Sequence, residues 1–345
     1  MARLNIGVSG VGIMGKQHAE NIMKAVPQAR LLAVADADMA RARQVAGELG
    51  AEKAYPSLEE MLAHKGLDAV VIASPGKMHA GNVRTAAAAN KAIFCEKPLA
   101  TRLNDADAAL AAVERAGVRL QMGHMRRYDP AYADAMRRIE AGEIGEPVIF
   151  KSIGRDCELP SPSYFRQGNA MLFLDSSIHD FDLARWLMQD EVEEVQTFAS
   201  GRMPEVAAYN DVEAGVVNLR FTRGGIGNVE SFRQCLYGYD IRTEVVGSKG
   251  TLMIGSLQQT ATMVLSRAGV THDAVSHWLQ RFFQAYVAEM RDFVETILAG
   301  RAPRVTGRDG REAVAISLAA ERSYREAAPV RLRETLRAKE SPLAS

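Results

Sequence analysis

A strict alternation through the first 122 residues constrains this chain more than any other feature. Short runs of Val, Ile, Leu and Ala take turns with stretches of helical length. Leu4–Ser9, Leu31–Ala35, Ala69–Ala73, Ala92–Cys95 and Arg119–Met122 are expected as strands, with a weaker one near Ala54. Met14–Ala25, Met39–Leu49, Leu58–Ala63, Gly81–Asn90 and Asn104–Ala116 are expected as helices. Such an alternation implies a parallel sheet with helices on both faces. The runs are continuously apolar, as strands buried on both faces must be.

The first turn reads GVSGVGIMG, in which Gly10, Gly12 and Gly15 form G-x-G-x-x-G between an expected strand and an expected helix. That context is what the pattern needs for dinucleotide binding. The first glycine permits a tight turn, the second lets a pyrophosphate approach the backbone, and the third packs helix on strand. The helix start adds N–H donors and a positive dipole. The loop residues Gly10, Gly12, Ile13, Met14 and Gly15 are therefore candidate cofactor contacts. Asp36 ends the second expected strand, 21 residues beyond Gly15, where a carboxylate accepts the ribose hydroxyls and repels a 2′-phosphate. No Arg or Ser immediately follows it, so NAD is expected over NADP. Asp36 and Asp38 also stand where a helix N-cap belongs.

Ser74, Pro75 and His79 follow the fourth strand, and Glu96-Lys97-Pro98 ends the fifth. These positions fall at the C-terminal edge of a parallel sheet, where ligands bind in such folds. Proline restricts the residue before it, which holds Lys97 in place. An ammonium there can polarise a hydroxyl or carbonyl; its plainer reading is a solvated lysine beside Glu96. His79 reads equally as a polar residue near a helix start.

After Gly123 the alternation stops. EPVIFKSIGRD, VQTFASG, EAGVVNLRF, GIGNVESF, IRTEVVGS and GTLMIG are short strand-like runs, several alternating polar with apolar. They suit an antiparallel sheet with one covered face. Trp278–Leu298 and Arg311–Glu326 have long helical patterns. The expected domains are 1–122, 123–332 and a tail at 333–345. Within the second domain, FLDSSIHDFDLARW (residues 173–186) threads charges through apolar residues. As one helix, Leu174, Ile178, Phe181, Ala184 and Met188 form an apolar stripe, and Asp175, His179, Asp182 and Trp186 form a second. Carboxylates one turn either side of an imidazole orient it and raise its basicity. Against this, Ser177-x-x-Asp180 resembles a capping box, which starts the helix later and leaves Asp175 outside it.

Composition narrows the function. The 345 residues carry 42 Lys plus Arg against 42 Asp plus Glu, with no net charge, unlike a nucleic-acid binder. No apolar run approaches the ~18 residues of a membrane span. The N-terminus enters a strand at once, leaving no room for a signal peptide. Cys95, Cys157 and Cys235 are far apart, which fits a reducing cytoplasm. Neither cysteine nor histidine spacing suggests a metal.

GVGIMGKQHA, VIASPGKMHA, CEKPLA and GHMRRYDPAY, in this order, resemble the glucose–fructose oxidoreductase/inositol dehydrogenase (GFO/IDH/MocA) family, across nearly the whole chain. The resemblance implies a Rossmann domain followed by an α+β domain with a large, mostly antiparallel open sheet that packs against another subunit. D-x-x-x-H-D-x-D-x-A-R looks like the inositol dehydrogenase signature, which implies Lys97, Asp175 and His179 as catalytic residues. MRRYDP, the same signature and YGYDIRTEVVGSKGTL (237–252) suggest Arg126, Asp182 and Tyr237 as substrate contacts; cross-strand packing is the plainer reading of Tyr237. The implied activity is NAD-dependent oxidation of a secondary ring hydroxyl, foremost the 2-hydroxyl of myo-inositol to the ketone. A scyllo-inositol or pyranose dehydrogenase shares every motif, and a non-catalytic NAD(P) sensor shares the fold. The loop 152–165 matches no particular substrate. A homotetramer is implied, with neither nucleic acid nor membrane as partner.

Overall fold

The computed structural model describes residues 3–166 and 171–335; the expected tail beyond residue 335 lies outside the described residues. The chain divides into two compact units. The first runs to Asp129 and takes in Gln284–Val314; the second is Pro130–Phe283 with the residues from Ala315 on. This differs from the expected boundary at 122/123. Helix Phe283–Leu298 lends Met290, Phe293 and Val294 to the core around Ile6, Val8, Val71 and Phe94, so the first unit is closed by a segment distant in sequence.

In the first unit, β1 (Leu4–Ser9), β2 (Ala29–Ala35), β3 (Lys53–Tyr55), β4 (Ala69–Ile72), β5 (Ala92–Glu96) and β6 (Leu120–Gly123) alternate with α1 (Ile13–Ala25), α2 (Met39–Leu49), α3 (Leu58–Leu62), α4 (Gly76–Ala88) and α5 (Leu103–Ala116). The strands pair in parallel in the order β3-β2-β1-β4-β5-β6, that of the dinucleotide-binding doubly wound fold. Every expected strand and helix here exists, within a few residues at the ends. The largest shift is α4, which begins at Gly76 rather than Gly81. Pro75 and Gly76 read as turn residues, yet Pro75 takes the N-cap with φ −55° and ψ 137°. The N-terminus of α4 therefore opens directly beside Ser74.

The second unit begins with α6 (Pro130–Glu140), which was not foreseen and starts at the proline of Asp129-Pro130. Next come β7 (Pro147–Arg155), α7 (Pro162–Arg166), α8 (Leu172–Asp175), α9 (Ile178–Met188), β8 (Val192–Ser200), β9 (Ala214–Phe221), β10 (Ile226–Phe232), β11 (Asp240–Gly247) and β12 (Thr251–Ile254). With Val330–Arg331 they form a seven-stranded sheet, β12-β11-β7-β10-β9-β8 and then Val330–Arg331. Its described pairs are antiparallel except β10 with β7. Along β9, Gly215, Val217, Leu219 and Phe221 are buried while Val216, Asn218 and Arg220 are exposed, the period-2 mark of a sheet covered on one side. Helices α8 and α9 cover that side: Phe173 lies so close to Gly215 that a Cβ there would sit 2.6 Å from its ring. The open side carries Phe198, Val216, Glu230 and Ile153 side by side across four strands. The single helix expected over Trp278–Leu298 is broken at the buried Phe282 into Trp278–Arg281 and Phe283–Leu298. An exposed hairpin, Met263–Ser266 with Gly269–His272, was not foreseen.

Candidate active site

The glycine turn of the first unit is built as its spacing requires. Gly10 has φ +84°, and a Cβ there would lie 2.5 Å from the Ser74 nitrogen. At Gly15 a Cβ would come within 1.7 Å of the Gly10 carbonyl oxygen, so α1 can approach β1 only through glycine. Gly12 is different: a Cβ built on it meets nothing within 4 Å. It is the N-cap of α1 and no side chain caps that helix. The turn thus presents an open helix N-terminus flanked by Ile13, which is 71% exposed, and the half-buried Met14. Asp36 accepts the Val11 N–H at 2.9 Å on Oδ2 and the Asp38 N–H at 2.9 Å on Oδ1. The cap of α2 is Asp38, which accepts from Ala40 and Arg41. Asp36 is therefore not the helix cap, and its Oδ1 keeps a lone pair for a further donor. Arg41 reaches both carboxylates, with Nη1 at 3.5 Å from Asp36 and Nη2 at 3.3 Å from Asp38. An uncapped helix start, an unfilled glycine and a carboxylate at the end of β2 fit a dinucleotide.

Beyond β4 and β5 the expected contacts separate. Ser74 accepts from Asn82 Nδ2 at 2.9 Å and stands at the start of α4 beside the exposed Pro75. His79 is buried, with Nε2 at 2.6 Å from the Ser74 carbonyl and Nδ1 at 2.7 Å from the Pro98 carbonyl. Both ring nitrogens are thus engaged by the backbone, and His79 braces two ligand-edge loops rather than offering a nitrogen to a cofactor. Burial holds its imidazole below the usual range, against the two carbonyls that favour the charged form. Glu96 also faces inward. Its Oε1 lies 2.7 Å from His18 Nε2, and its Oε2 accepts the Lys97 N–H at 3.1 Å. Burial pushes the Glu96 carboxyl up, but the hydrogen bond and charge of His18, with Lys97 and His79, hold it below the usual carboxylate range. Lys97 itself is half-buried and precedes a cis proline. Arg126, in the 3₁₀ turn Met125–Tyr128 of the same unit, is 3% exposed.

In the second unit the stretch 173–186 is two helices. The chain leaves helix at Ser176 and Ser177, so the expected stripe of Asp175, His179, Asp182 and Trp186 does not lie on one continuous helix. The capping box also fails: Ser177, in the turn between the helices, has φ −67° and ψ −20° rather than the extended backbone of an N-cap and makes no side-chain cap bond. Its hydroxyl is 2.8 Å from that of Ser231 in β10 instead. The charges divide into two groups. Asp180 is 1% exposed and accepts the Ser152 hydroxyl, while Arg185 pairs with Glu191 at 2.6 Å. Asp182 is 1% exposed on the same helix. Asp175 and His179 are only half-buried, at the junction of α8 and α9. Tyr164 donates to Asp175 Oδ1 at 3.0 Å, and Ser176 donates to Asp156 at 2.6 Å. Tyr164 and Asp156 come from the loop 152–165 that matched nothing in sequence; its two acid-bracing contacts were not foreseen. Tyr237 lies between β10 and β11, half exposed, with Arg155 donating to its hydroxyl at 2.6 Å while it donates to Asp240 at 2.7 Å. Burial first, then Asp240, pushes the phenol up to about 12. It lines a groove of about 890 Å³ with Phe198, Val216 and Glu230 on the open side of the sheet, whereas α8 and α9 cover the other side.

One cluster escaped sequence reading. His18, Glu96 and Glu289 are all buried in the first unit, with potential ligand atoms within 4.8 Å of one another. His18 stands inside the quoted glycine motif, but nothing local marks Glu289.

The strand order, the open glycine turn and the placement of Asp36 define a Rossmann domain of NAD-binding type. Comparison with known families agrees: residues 4–124 match the oxidoreductase family with an NAD-binding Rossmann fold, and residues 132–253 match the GFO/IDH/MocA C-terminal domain. The chain belongs to the GFO/IDH/MocA oxidoreductase family. It is 40% identical over 333 residues, 96% of each chain, to the scyllo-inositol 2-dehydrogenase (NAD(+)) of Bacillus subtilis. It is 36% identical to the myo-inositol 2-dehydrogenase of Thermotoga maritima, covering 96% of this chain and 100% of the relative. Among solved structures, scyllo-inositol dehydrogenase from Lactobacillus casei with bound NAD(H) and scyllo-inositol superposes with a TM-score of 0.91 at 27% identity, covering 96% of this chain and 99% of that one. No helix among the described residues is long and apolar enough to cross a membrane.

Proposed function

We propose that this protein oxidises a secondary ring hydroxyl of an inositol to the ketone with NAD, foremost the 2-hydroxyl of myo-inositol. Bound NAD supplies the hydride acceptor. An alcohol carbon gives up hydride only as its hydroxyl loses the proton. In this reading His179 takes that proton and Asp175, held by Tyr164, orients the imidazole. Lys97 stabilises the developing alkoxide. Asp182 and Arg126 shape the polyol site, whereas Tyr237, expected there, lines the open face of the sheet instead; Gly10, Gly12, Ile13, Met14 and Gly15 carry the pyrophosphate, and Asp36 takes the ribose. The observation that carries the reading is the division of charges in 173–186. Asp180 and Arg185 are consumed by structural pairs, whereas Asp175 and His179 stay half exposed at a helix junction, as a proton acceptor must.

The scyllo isomer is the second reading, favoured by the relative at 40% identity. Steady-state NADH formation with myo-inositol, scyllo-inositol and a set of pyranoses tests both. Turnover with one inositol isomer well above every pyranose supports the proposal; NAD binding without turnover on any of them points to a sensor. We further propose a homotetramer built on the open face of the second sheet, where Phe198 is 63% and Val216 38% exposed. A cytoplasmic setting fits the three free cysteines.

A further inference from the structure

Glu289 is 0% exposed on helix Phe283–Leu298, and neither of its carboxylate oxygens has a hydrogen-bond partner among the described residues. A carboxylate oxygen of Glu96, itself 6% exposed, lies within 4.8 Å of one of Glu289. Two ionised carboxylates cannot share so small a dry space, because nothing screens their repulsion. Either a cation sits between them or one of them keeps its proton. The geometry decides against the cation. His18 Nε2 and Glu96 Oε1 stand 2.7 Å apart, a hydrogen-bond distance that occupies the donor atoms a metal would need. The other oxygen of Glu96 already accepts the Lys97 N–H. Glu96 is thus fitted to be the anion, and Glu289 the acid.

We infer that Glu289 is a neutral carboxylic acid beside the Glu96 carboxylate, and that its neutrality leaves Glu96 the charge with which it holds the Lys97 N–H. The packing agrees. Gly123, paired with Glu96 across β5 and β6, leaves room for that carboxylate: a Cβ there would lie 3.1 Å from its Cδ. Gln121 Nε2 donates to the Glu289 backbone carbonyl at 3.1 Å, tying the helix to β6 at that residue. Around the pair stand His18 from α1, His79 from α4 and Lys97 after β5. Tyr286, on Glu289's own helix, meets the His18 ring edge-on at 6.1 Å. Burial first, and the Glu96 charge second, push the Glu289 carboxyl well above its ordinary range. With the acid neutral, Glu96 keeps its full charge and its grip on the peptide that carries Lys97. An ionised Glu289 would repel that charge, drive Glu96 toward protonation and loosen the grip. For Lys97 this rests on the role given to it above; the charge assignment does not.

Infrared difference spectroscopy of the full-length protein without substrate, in H₂O and D₂O at neutral pH, tests the assignment. Wild type minus Glu289→Gln should show one carboxylic-acid C=O band that shifts in D₂O. The difference is needed because burial also raises Glu321. No such band, or one equivalent of metal in wild type lost in Glu289→Gln, overturns the proposal. Kinetics test the charge state: Glu289→Gln, neutral like the acid, should keep kcat within about threefold of wild type, and a larger loss in a variant with an unchanged melting temperature overturns the assignment. Failure of inositol turnover in wild type leaves the infrared result decisive by itself.

Discussion

Adding one methyl group at Gly12 or at Gly15 separates cofactor binding from folding. At Gly12 the backbone has φ −68° and ψ −158°, open to alanine, and the new Cβ meets no atom within 4 Å. Replacing glycine at an N-cap costs about 1 kcal/mol or less, and the stiffer unfolded chain returns about 0.4–1 kcal/mol. The net change in stability is close to zero. The methyl group, however, projects from the turn at the helix start, where a pyrophosphate must touch backbone. NAD affinity should fall at least ~tenfold, or about 1.4 kcal/mol. At Gly15 the order reverses. A Cβ 1.7 Å from the Gly10 oxygen forces α1 off β1, at ~1–3 kcal/mol or more. At about 2–4 °C per kcal/mol, the melting point should drop by several degrees. Calorimetric NAD titration and thermal melts on both variants provide the readout. A Gly12→Ala protein that binds NAD like wild type, or a Gly15→Ala protein that melts like wild type, would refute this reading of the turn.

Replacing Asp36 by Ser removes the ribose acceptor and frees Arg41, now shared with Asp38, to meet a 2′-phosphate. The ratio of kcat/KM for NADP over NAD should rise about tenfold or more, and an unchanged ratio contradicts the role of Asp36. His179→Ala should lower turnover ~10²–10⁴-fold with NAD affinity unchanged; a folded variant above a tenth of wild-type turnover contradicts it. Tyr164→Phe deletes one hydrogen bond to Asp175, worth about 0.5–1.5 kcal/mol, so turnover should fall roughly 2–10-fold without a change in NAD binding. Phe198→Glu places a charge on the open sheet face and should reduce the mass measured by light scattering; a mass equal to that of wild type contradicts the proposed interface.

The first unit was legible because its signals are local. Each strand is a short apolar run and each helix a separate pattern, so even β3 was visible near Ala54. What failed there was contact from far along the chain: nothing near Gln284 announces that Met290 and Phe293 complete the first core. In the second unit the strands were readable from period-2 alternation, but α6 and the exposed hairpin were not. The motif at 173–186 was read on one continuous helix, and the structure has two. Ser177 found a partner in Ser231, on a strand 54 residues away, and a side chain so engaged cannot cap. Likewise His79 and Glu96 stand where a ligand contact belongs, yet spacing cannot reveal that both turn inward to backbone or to His18.

The central claim is that this chain oxidises an inositol hydroxyl with NAD, using His179 as base and Lys97 as the cation. Its most direct measurement is NADH formation by wild type, His179→Ala and Lys97→Met over myo- and scyllo-inositol, with NAD affinity measured on the same samples. The account predicts turnover by wild type on an inositol isomer, and loss of ~10²-fold or more in His179→Ala, with Lys97→Met also severely impaired and NAD still bound by both. Wild type that binds NAD but reduces it with no cyclic polyol, or variants that turn over like wild type, would contradict it.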